Sequence, residues 1–587
     1  MKKNILIIVL LLTLIYTNCL NVKADNLPSG INYSNIKKEV DNFVKINNNT
    51  TAGMSIVVFD DNDILLKEFY GYADIENNVK VNENTVFEWG SISKTLIWVS
   101  VMQLYEDGKL DLNEDIREYL PDGYLDELKY DDKITVLNLM NHEAGFQETF
   151  IDLYLTNEKD IKSLEEVLRI NQPKQIYRPG TVTAYSNYSS ALAGLIVEKV
   201  SGLPYYQYVK KNIFNKIGMY HTAVNYDLSD NVWVKEKLKE TKCYTTENIL
   251  IDNCYLYISM YPSGAVAGTI GDLEIFVRSL ISDNSLLFDK SETQQLMLSP
   301  SKYYGESMIG SNYHGLWVND YKVQTIGHGG NTAGHSAQFM FDLNTGLTTI
   351  VMTNQKYEIN YNYLLFEKIY GSWEESILND KSREFPNKFY RDARTISDGA
   401  LSISKYLTNY GKLKNEDIGS YWSIKNIDNK VNIAVANSDL LEISALEFYL
   451  NNFLPLLLII GCMYSFITLI IGFLVINVIM KKKRDYKFRN WNYLSNLFIV
   501  LFGISIVILF ICINTFGITS KYYLWIFYLV PILLVLLIKQ FISFIIKFNE
   551  IKGYNKREKF KYFVTLFFVV ISISNILYFE MYQFWTI

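Results

Sequence analysis

Cysteine and histidine are scarce. The 587 residues include five of each. There is no Cys-x-x-Cys pair and no His-Glu-x-x-His, so the usual zinc frameworks are excluded and no metal or organic cofactor is expected. A basic excess is missing too: 56 Lys and Arg stand against 62 Asp and Glu, a net charge of −6. That is not the electrostatic footprint of a nucleic-acid binder. Apolar residues are not in short supply, at 49%, which excludes a wholly disordered chain, a collagen and a disulfide-stapled miniprotein. At ~150 residues per domain the length allows about four units. The composition hides two populations, a polar stretch to about Glu447 and a very apolar tail after it.

The two ends set the compartment. Met1-Lys2-Lys3 leads into an apolar run from Ile5 to Tyr16, and Val22-Lys23-Ala24 precedes Asp25. A basic start, a short apolar run and small residues at the cleavage positions read as a secretory signal over residues 1–24. The run is too short to span about 30 Å of hydrocarbon. An uncleaved anchor is the competing reading, and Tyr16-Thr17-Asn18 is a poor approach to a lipidated Cys19. Under either reading the polar stretch from Asp25 onward is expected to be exported. In the tail, residues 453–480 and 491–518 carry no charge, 522–546 only Lys539, and 562–579 none. These predict a four-helix transmembrane region over residues 453–583. Lys481-Lys482-Lys483-Arg484, Lys487 and Arg489 lie between the first two segments, and Lys547, Lys552, Lys556, Arg557, Lys559 and Lys561 between the last two. Only Lys521 lies between the second and third. Positive loops stay cytoplasmic, which puts the polar domain and the C-terminus outside. No Asp or Glu falls within the four segments, so an ion pathway is not expected. Anchoring in a lipid bilayer is the simpler reading; docking a lipophilic substrate or a membrane partner is the alternative.

Residues 26–371 alternate strand-like and helix-like stretches. Residues 54–59 and 64–70 read as a hairpin around Asp60-Asp61-Asn62-Asp63, and residues 337–341 and 347–353 as another around Asn344-Thr345-Gly346. Residues 94–106 and 189–200 read as helices, ended by Asp107-Gly108 and Ser201-Gly202. Strands at both ends with helices between them predict an α+β domain built on an antiparallel sheet whose first and last strands meet. Residues 372–447 carry no usable motif and read as a linker or a small β-rich extension. Cys243 and Cys254 could form a disulfide in an exported chain; without geometry the pairing is open.

The chemistry concentrates in three places. In Glu88-Trp89-Gly90-Ser91-Ile92-Ser93-Lys94, Ser91 lies where a turn opens a helix and Lys94 comes three residues later. Such a pair shares a helix face, so the amine can reach the hydroxyl. A Lys among apolar groups loses basicity and can take the serine proton. The spacing alone proves little, since Ser34/Lys37, Ser299/Lys302 and Ser402/Lys405 share it. Only Ser91 is succeeded by two further elements. Tyr185-Ser186-Asn187 lies just before a helix, where Tyr185 can pass a proton to a leaving group and Asn187 can hold both a substrate carbonyl and Lys94. His328-Gly329-Gly330-Asn331 lies ahead of an expected strand. Its small residues let an edge strand lie against a substrate, with the backbone N–H groups of Ser91 and Asn331 as an oxyanion hole.

Ser-x-x-Lys, Tyr-x-Asn and His-Gly-Gly in this order resemble the class C β-lactamase and penicillin-binding-protein-like serine hydrolases. Asn141-His142-Glu143-Ala144-Gly145-Phe146 and the stretch from Ser263-Gly264 to Asp272-Leu273 look like further elements of that family, and the likeness covers about residues 36–368. The resemblance implies an antiparallel sheet with flanking helices, a helical subdomain and a site between them. It makes Ser91 the acyl-enzyme nucleophile and Lys94 and Tyr185 the acid/base pair; it does not by itself choose among small peptide, amide and ester substrates. β-Lactamases of this class carry Lys-Thr-Gly where this chain has His328-Gly329-Gly330. A His is mostly neutral at pH 7 and attracts a substrate carboxylate less than Lys does. That favours an esterase, an amidase or a D-amino-acid peptidase. A penicillin-interacting β-lactamase or D,D-peptidase is the alternative, and a non-catalytic cell-wall or peptide sensor is another. The architecture is also similar to that of membrane peptidases that remove an acyl-D-amino-acid cap from natural-product precursors, which have fewer spans than the four read here.

Overall fold

A computed structural model describes residues 26–584 apart from 62, 126–127, 397–399, 401–408, 415–416, 473–485 and 517–519. The expected leader at residues 1–24, the Lys481–Arg484 cluster and the Ser402/Lys405 pair lie outside the described residues.

A nine-stranded antiparallel sheet organises the large domain. Its strands are β1 (Gly53–Phe59), β2 (Ile64–Asp74), β3 (Val79–Lys80), β4 (Lys302–Tyr303), β5 (Gly310–Tyr313), β6 (Leu316–Asp320), β7 (Gln324–Asn331), β8 (Ser336–Phe341) and β9 (Thr348–Thr353). In space they run β3-β2-β1-β9-β8-β7-β6-β5-β4. The first and last long strands do meet, Met54 opposite Thr353 and Phe59 opposite Thr348. Every residue of β1 is buried, because both faces of the sheet are covered. Val57, Phe59, Phe339, Ile350 and Met352 face the main core. Met54, Ile56, Val58, Met340 and Val351 face a second layer under helix α1 (Ile36–Ile46) and residues 365–370. The period of two along the strands thus feeds two cores at once.

Helices α2 (Ser93–Glu106) and α3 (Asn187–Ser201) pack together inside the main core. Residues 93–104 of α2 are buried all round, so α2 is a core helix rather than an amphipathic cover. The Ser186 hydroxyl accepts from the Ser189 N–H at 3.0 Å and starts α3, and Gly202 in the left-handed region ends it. Helix α4 (Ile270–Ile281) packs against β1 and β9.

Residues 372–447 hold a second sheet: β10 (Phe389–Asp392), β11 (Asn409–Tyr410), β12 (Ser423–Ile427), β13 (Lys430–Ala434) and β14 (Leu440–Ile443), in the order β11-β10-β14-β13-β12. Tyr390, Trp422, Ile433 and Leu440 give it a small core of its own. It docks on the large domain. The Thr183 N–H donates to the Asp439 carboxylate at 3.0 Å, and the Asp439 N–H donates to the Thr183 carbonyl at 2.9 Å. Val182, Ala184, Ala393 and Leu441 close the joint.

β14 runs through the single residue Ser444 into α5 (Ala445–Ile470), the first of four long apolar helices; the others are α6 (Tyr486–Phe516), α7 (Leu524–Ile546) and α8 (Lys556–Tyr578). All four are long and apolar enough to cross a membrane. α5 begins earlier than the expected 453 because the Ser444 hydroxyl accepts from the Glu447 N–H at 3.0 Å and caps it there. Ser520, between α6 and α7, donates to the Asp152 carboxylate through its backbone N–H at 2.6 Å and its hydroxyl at 2.8 Å. Lys521 pairs with Asp160. Glu580, just past α8, faces Lys174 at 3.7 Å. Ser520 and Lys521, just ahead of α7, and Glu580, just past α8, therefore lie on the side of the large domain. The basic connection from Lys547 to Lys556 lies one helix length away, about 34 Å for α7.

Candidate active site

Ser91 sits on a 3-10 turn, Gly90–Ile92, that feeds straight into α2. One helical step on, the Lys94 amine stands 2.9 Å from the Ser91 hydroxyl oxygen, 2.8 Å from Asn187 Oδ1 and 2.7 Å from the Ser263 carbonyl. It is fully buried. Loss of hydration pulls its pKa down to about 7; the Glu148 carboxylate opposes this and the Arg394 guanidinium assists. In the neutral amine, two protons suffice for Asn187 and the Ser263 carbonyl, and the lone pair is left facing the Ser91 hydroxyl.

The Tyr185 hydroxyl also bonds Ser91, and burial pushes this phenol well above its usual range. It is therefore a neutral phenol, able to donate a proton rather than to rest as a base. Its ring lies 5.1 Å from the Lys94 amine and stacks on His142 at 4.5 Å, and His142 stacks in turn on Trp317 at 5.2 Å. His142 accepts the Ser186 N–H on Nδ1 at 2.9 Å, and burial holds it neutral. This aromatic stack fixes the plane of Tyr185.

His328-Gly329-Gly330-Asn331 lies within β7 rather than ahead of a strand, and β7 is an interior strand of the sheet. Glycines read as loop in a sequence, but pairing with β8 from Ile326 to Asn331 holds them extended. Pairing with β6 on the other side stops at Trp317 opposite Gly327, so residues 328–331 present a free edge towards Ser91. Two glycines allow the approach. A β-carbon on Gly90, whose φ is +53°, would meet the Asn331 nitrogen at 2.6 Å, and one on Gly330 would meet the Trp89 carbonyl oxygen at 2.0 Å. His328 donates from Nδ1 to the Gly329 carbonyl at 2.6 Å. Burial, with Lys94 nearby, takes its pKa down to about 3. The His that stands in place of the family Lys is thus uncharged, which agrees with the weaker pull on a carboxylate expected from the residue type.

All eight expected site residues converge here, with Lys94 beneath the floor of a cleft of about 460 Å³ that Ser91, Tyr185, Asn187 and residues 328–331 line. Two charged neighbours were not anticipated. Glu148, buried, accepts from the Asn187 backbone N–H at 3.0 Å and its side-chain amide at 3.3 Å, and Arg394 of the small sheet meets the same oxygen at 3.0 Å. The other Ser-x-x-Lys pairs are elsewhere: Lys37 pairs with Glu68 at 2.9 Å on the surface, and Lys302 with Glu143 at 2.9 Å. Cys243 and Cys254 form a disulfide, with Cα atoms 6.2 Å apart. Among the described residues no cluster of His, Cys, Asp and Glu could hold a metal.

The family model for Beta-lactamase matches residues 36–367, and the chain belongs to that family, whose members are serine hydrolases. Among its relatives, the Protein flp of Staphylococcus aureus strain N315 is 22% identical over 320 residues, 52% of this chain and 60% of that protein. Penicillin-binding protein 4* of Bacillus subtilis strain 168 is 22% identical over 381 residues, 61% of this chain and 78% of that protein. The octameric penicillin-binding protein homologue from Pyrococcus abyssi aligns in structure with a TM-score of 0.48 and 18% identity, over 70% of this chain and 99% of that one. The chain spans three fifths of the length of Protein flp.

Proposed function

We propose that this protein is a membrane-anchored extracytoplasmic serine hydrolase that cleaves an amide or ester through an acyl group on Ser91. The observation that carries the reading is the Lys94 amine, 2.9 Å from the Ser91 hydroxyl and drawn down to about 7. Lys94 takes the proton as the Ser91 oxygen bonds to the substrate carbonyl carbon. Tyr185 delivers its proton to the leaving nitrogen or oxygen as that atom's bond to the carbon breaks, and takes one back from the Lys94 ammonium. The N–H groups of Ser91 and Asn331 receive the developing oxyanion, and Asn187 and the free edge of β7 hold the acyl donor. A water then adds to the acyl carbon, giving a proton to Lys94, and the Ser91 oxygen leaves, taking a proton from Tyr185 that Lys94 replaces. The uncharged His328 favours substrates gripped by hydrogen bonds over those held by a free carboxylate, which suits a peptidase or esterase and includes D-amino-acid amides. The four apolar helices support the anchor. The contacts of Ser520 and Glu580 with the large domain, and the basic connection at the opposite end, support the same orientation as the charge pattern of the loops.

Intact-mass measurement of the full chain in detergent, after a fluorophosphonate and separately after a penicillin, tests the reading. A fluorophosphonate adduct on the wild type and none on Ser91→Ala is expected, with little penicillin adduct. Absence of the first adduct would overturn it, and a stable or rapidly hydrolysed penicillin would move it to a penicillin-interacting enzyme.

A further inference from the structure

Arg394 follows a strand of the small sheet yet lines the cleft. It lies just after β10, where its backbone N–H donates to the Asp392 carboxylate at 2.7 Å and to the Ser438 hydroxyl at 3.2 Å. The chain on either side is clamped to the large domain. The Glu148 N–H donates to the Thr395 carbonyl at 2.9 Å, and the Gln147 amide donates to the Thr395 hydroxyl at 3.0 Å. The guanidinium lies over the Tyr185 ring at 5.2 Å and meets Glu148 at 3.0 Å. The Glu148 side chain has no exposure to solvent, so its charge needs a partner.

From there the contacts run without a gap to the nucleophile. Glu148 accepts from the Asn187 side-chain nitrogen, which turns the Asn187 oxygen to Lys94, and Lys94 meets Ser91. A buried carboxylate this close to Lys94 would by itself hold the lysine as an ammonium and spoil it as a base. The other groups facing Lys94 are the Tyr185 phenol and the His142 and His328 imidazoles, all neutral, so Glu148 and Arg394 are the charges that act on it among the described residues.

We infer that Arg394 is a positioning residue of the hydrolase site: carried in beside the small sheet, it neutralises Glu148, the carboxylate that holds the Asn187 amide, so that Lys94 can accept the Ser91 proton. This rests on the Ser91 reading above and gives residues 372–447 a part in it. The rate of fluorophosphonate labelling of the full chain in detergent, measured as a function of pH, tests it. For Arg394→Met the rise of labelling with pH should move up by about one unit or more, a roughly tenfold loss on the acidic side. For Glu148→Gln it should move down. The double variant should return towards the wild-type midpoint, and Arg394→Lys should stay near it. A merely structural role predicts loss in the single variants without opposite shifts and without rescue. Were Arg394→Met not to fold, the downward shift of Glu148→Gln still decides. Midpoints unchanged in both single variants, with Ser91 labelled, would overturn the inference. A wild type that takes no label would instead remove the Ser91 reading on which it rests.

Discussion

A β-carbon on Gly330 would stand 2.7 Å from the backbone nitrogen of Ser91. The strand that flanks the cleft and the turn that carries Ser91 are therefore in backbone contact, and neither can yield without displacing the other. Gly330→Ala should cost about 100-fold or more in kcat/KM, the scale of losing one oxyanion donor. It should also cost about 1–3 kcal/mol in stability from overpacking. Labelling rates and thermal melts of the same sample check both.

Lys94 is costly to bury and useful where it is. Lys94→Met keeps the volume and removes the charge, so it should fold with equal or greater stability while labelling of Ser91 falls by about 100-fold or more. A melting temperature well below wild type would contradict this.

The same group makes stability depend on pH. Its pKa is about 7 in the folded state against an ordinary value of 10.5. Between those values the unfolded chain binds more protons, so stability rises with pH across that window. The burial penalty is full below about 7 and gone above 10.5. Denaturant titrations across the lower part of that window should show wild type gaining on Lys94→Met, on the order of 1 kcal/mol per pH unit.

His328 should leave no mark on the pH profile near neutrality, since it is already neutral above about 3. His328→Gln is expected to lower kcat/KM for a chosen ester while the midpoint near 7 set by Lys94 stays in place. A midpoint that moved with this substitution would reassign the titration from Lys94 to His328.

The disulfide between Cys243 and Cys254 packs on Gly334, where a β-carbon would stand 2.2 Å from the Cys243 sulfur. Gly334 lies just beyond the free edge of β7, so the bridge braces one wall of the cleft. Closing so short a loop contributes about 3 kcal/mol. Reduction, or Cys243→Ala with Cys254→Ala, should lower the melting temperature by several degrees.

Much of the site and its scaffold is legible in the sequence because it is local. The Ser91–Lys94 contact comes from three-residue spacing on a helix, the strand pairs at residues 54–70 and 337–353 from apolar runs flanking turn residues, and the apolar helices from length and absence of charge. The strand character of residues 328–331 is not legible, because glycine carries no strand preference and only β8 imposes it. Glu148 and Arg394 are hidden for a different reason. They are 246 positions apart, both outside the named strands, and nothing periodic links an isolated Glu to an isolated Arg. Glu148 lies shortly after Asn141-His142-Glu143-Ala144-Gly145-Phe146, and that proximity is the only clue the sequence offers.

β14 continues into the first apolar helix through one residue, and Arg394 lies upstream of that junction. A ribosome therefore finishes the serine, the lysine and the tyrosine long before it supplies the arginine, and the small sheet cannot close until its last strand, directly ahead of the first apolar helix, has emerged. If the proposed hydrolase reading holds, competence is in that sense a late event in biogenesis: a fragment released after residue 371 would carry Ser91, Lys94 and Tyr185 but not the arginine beside them.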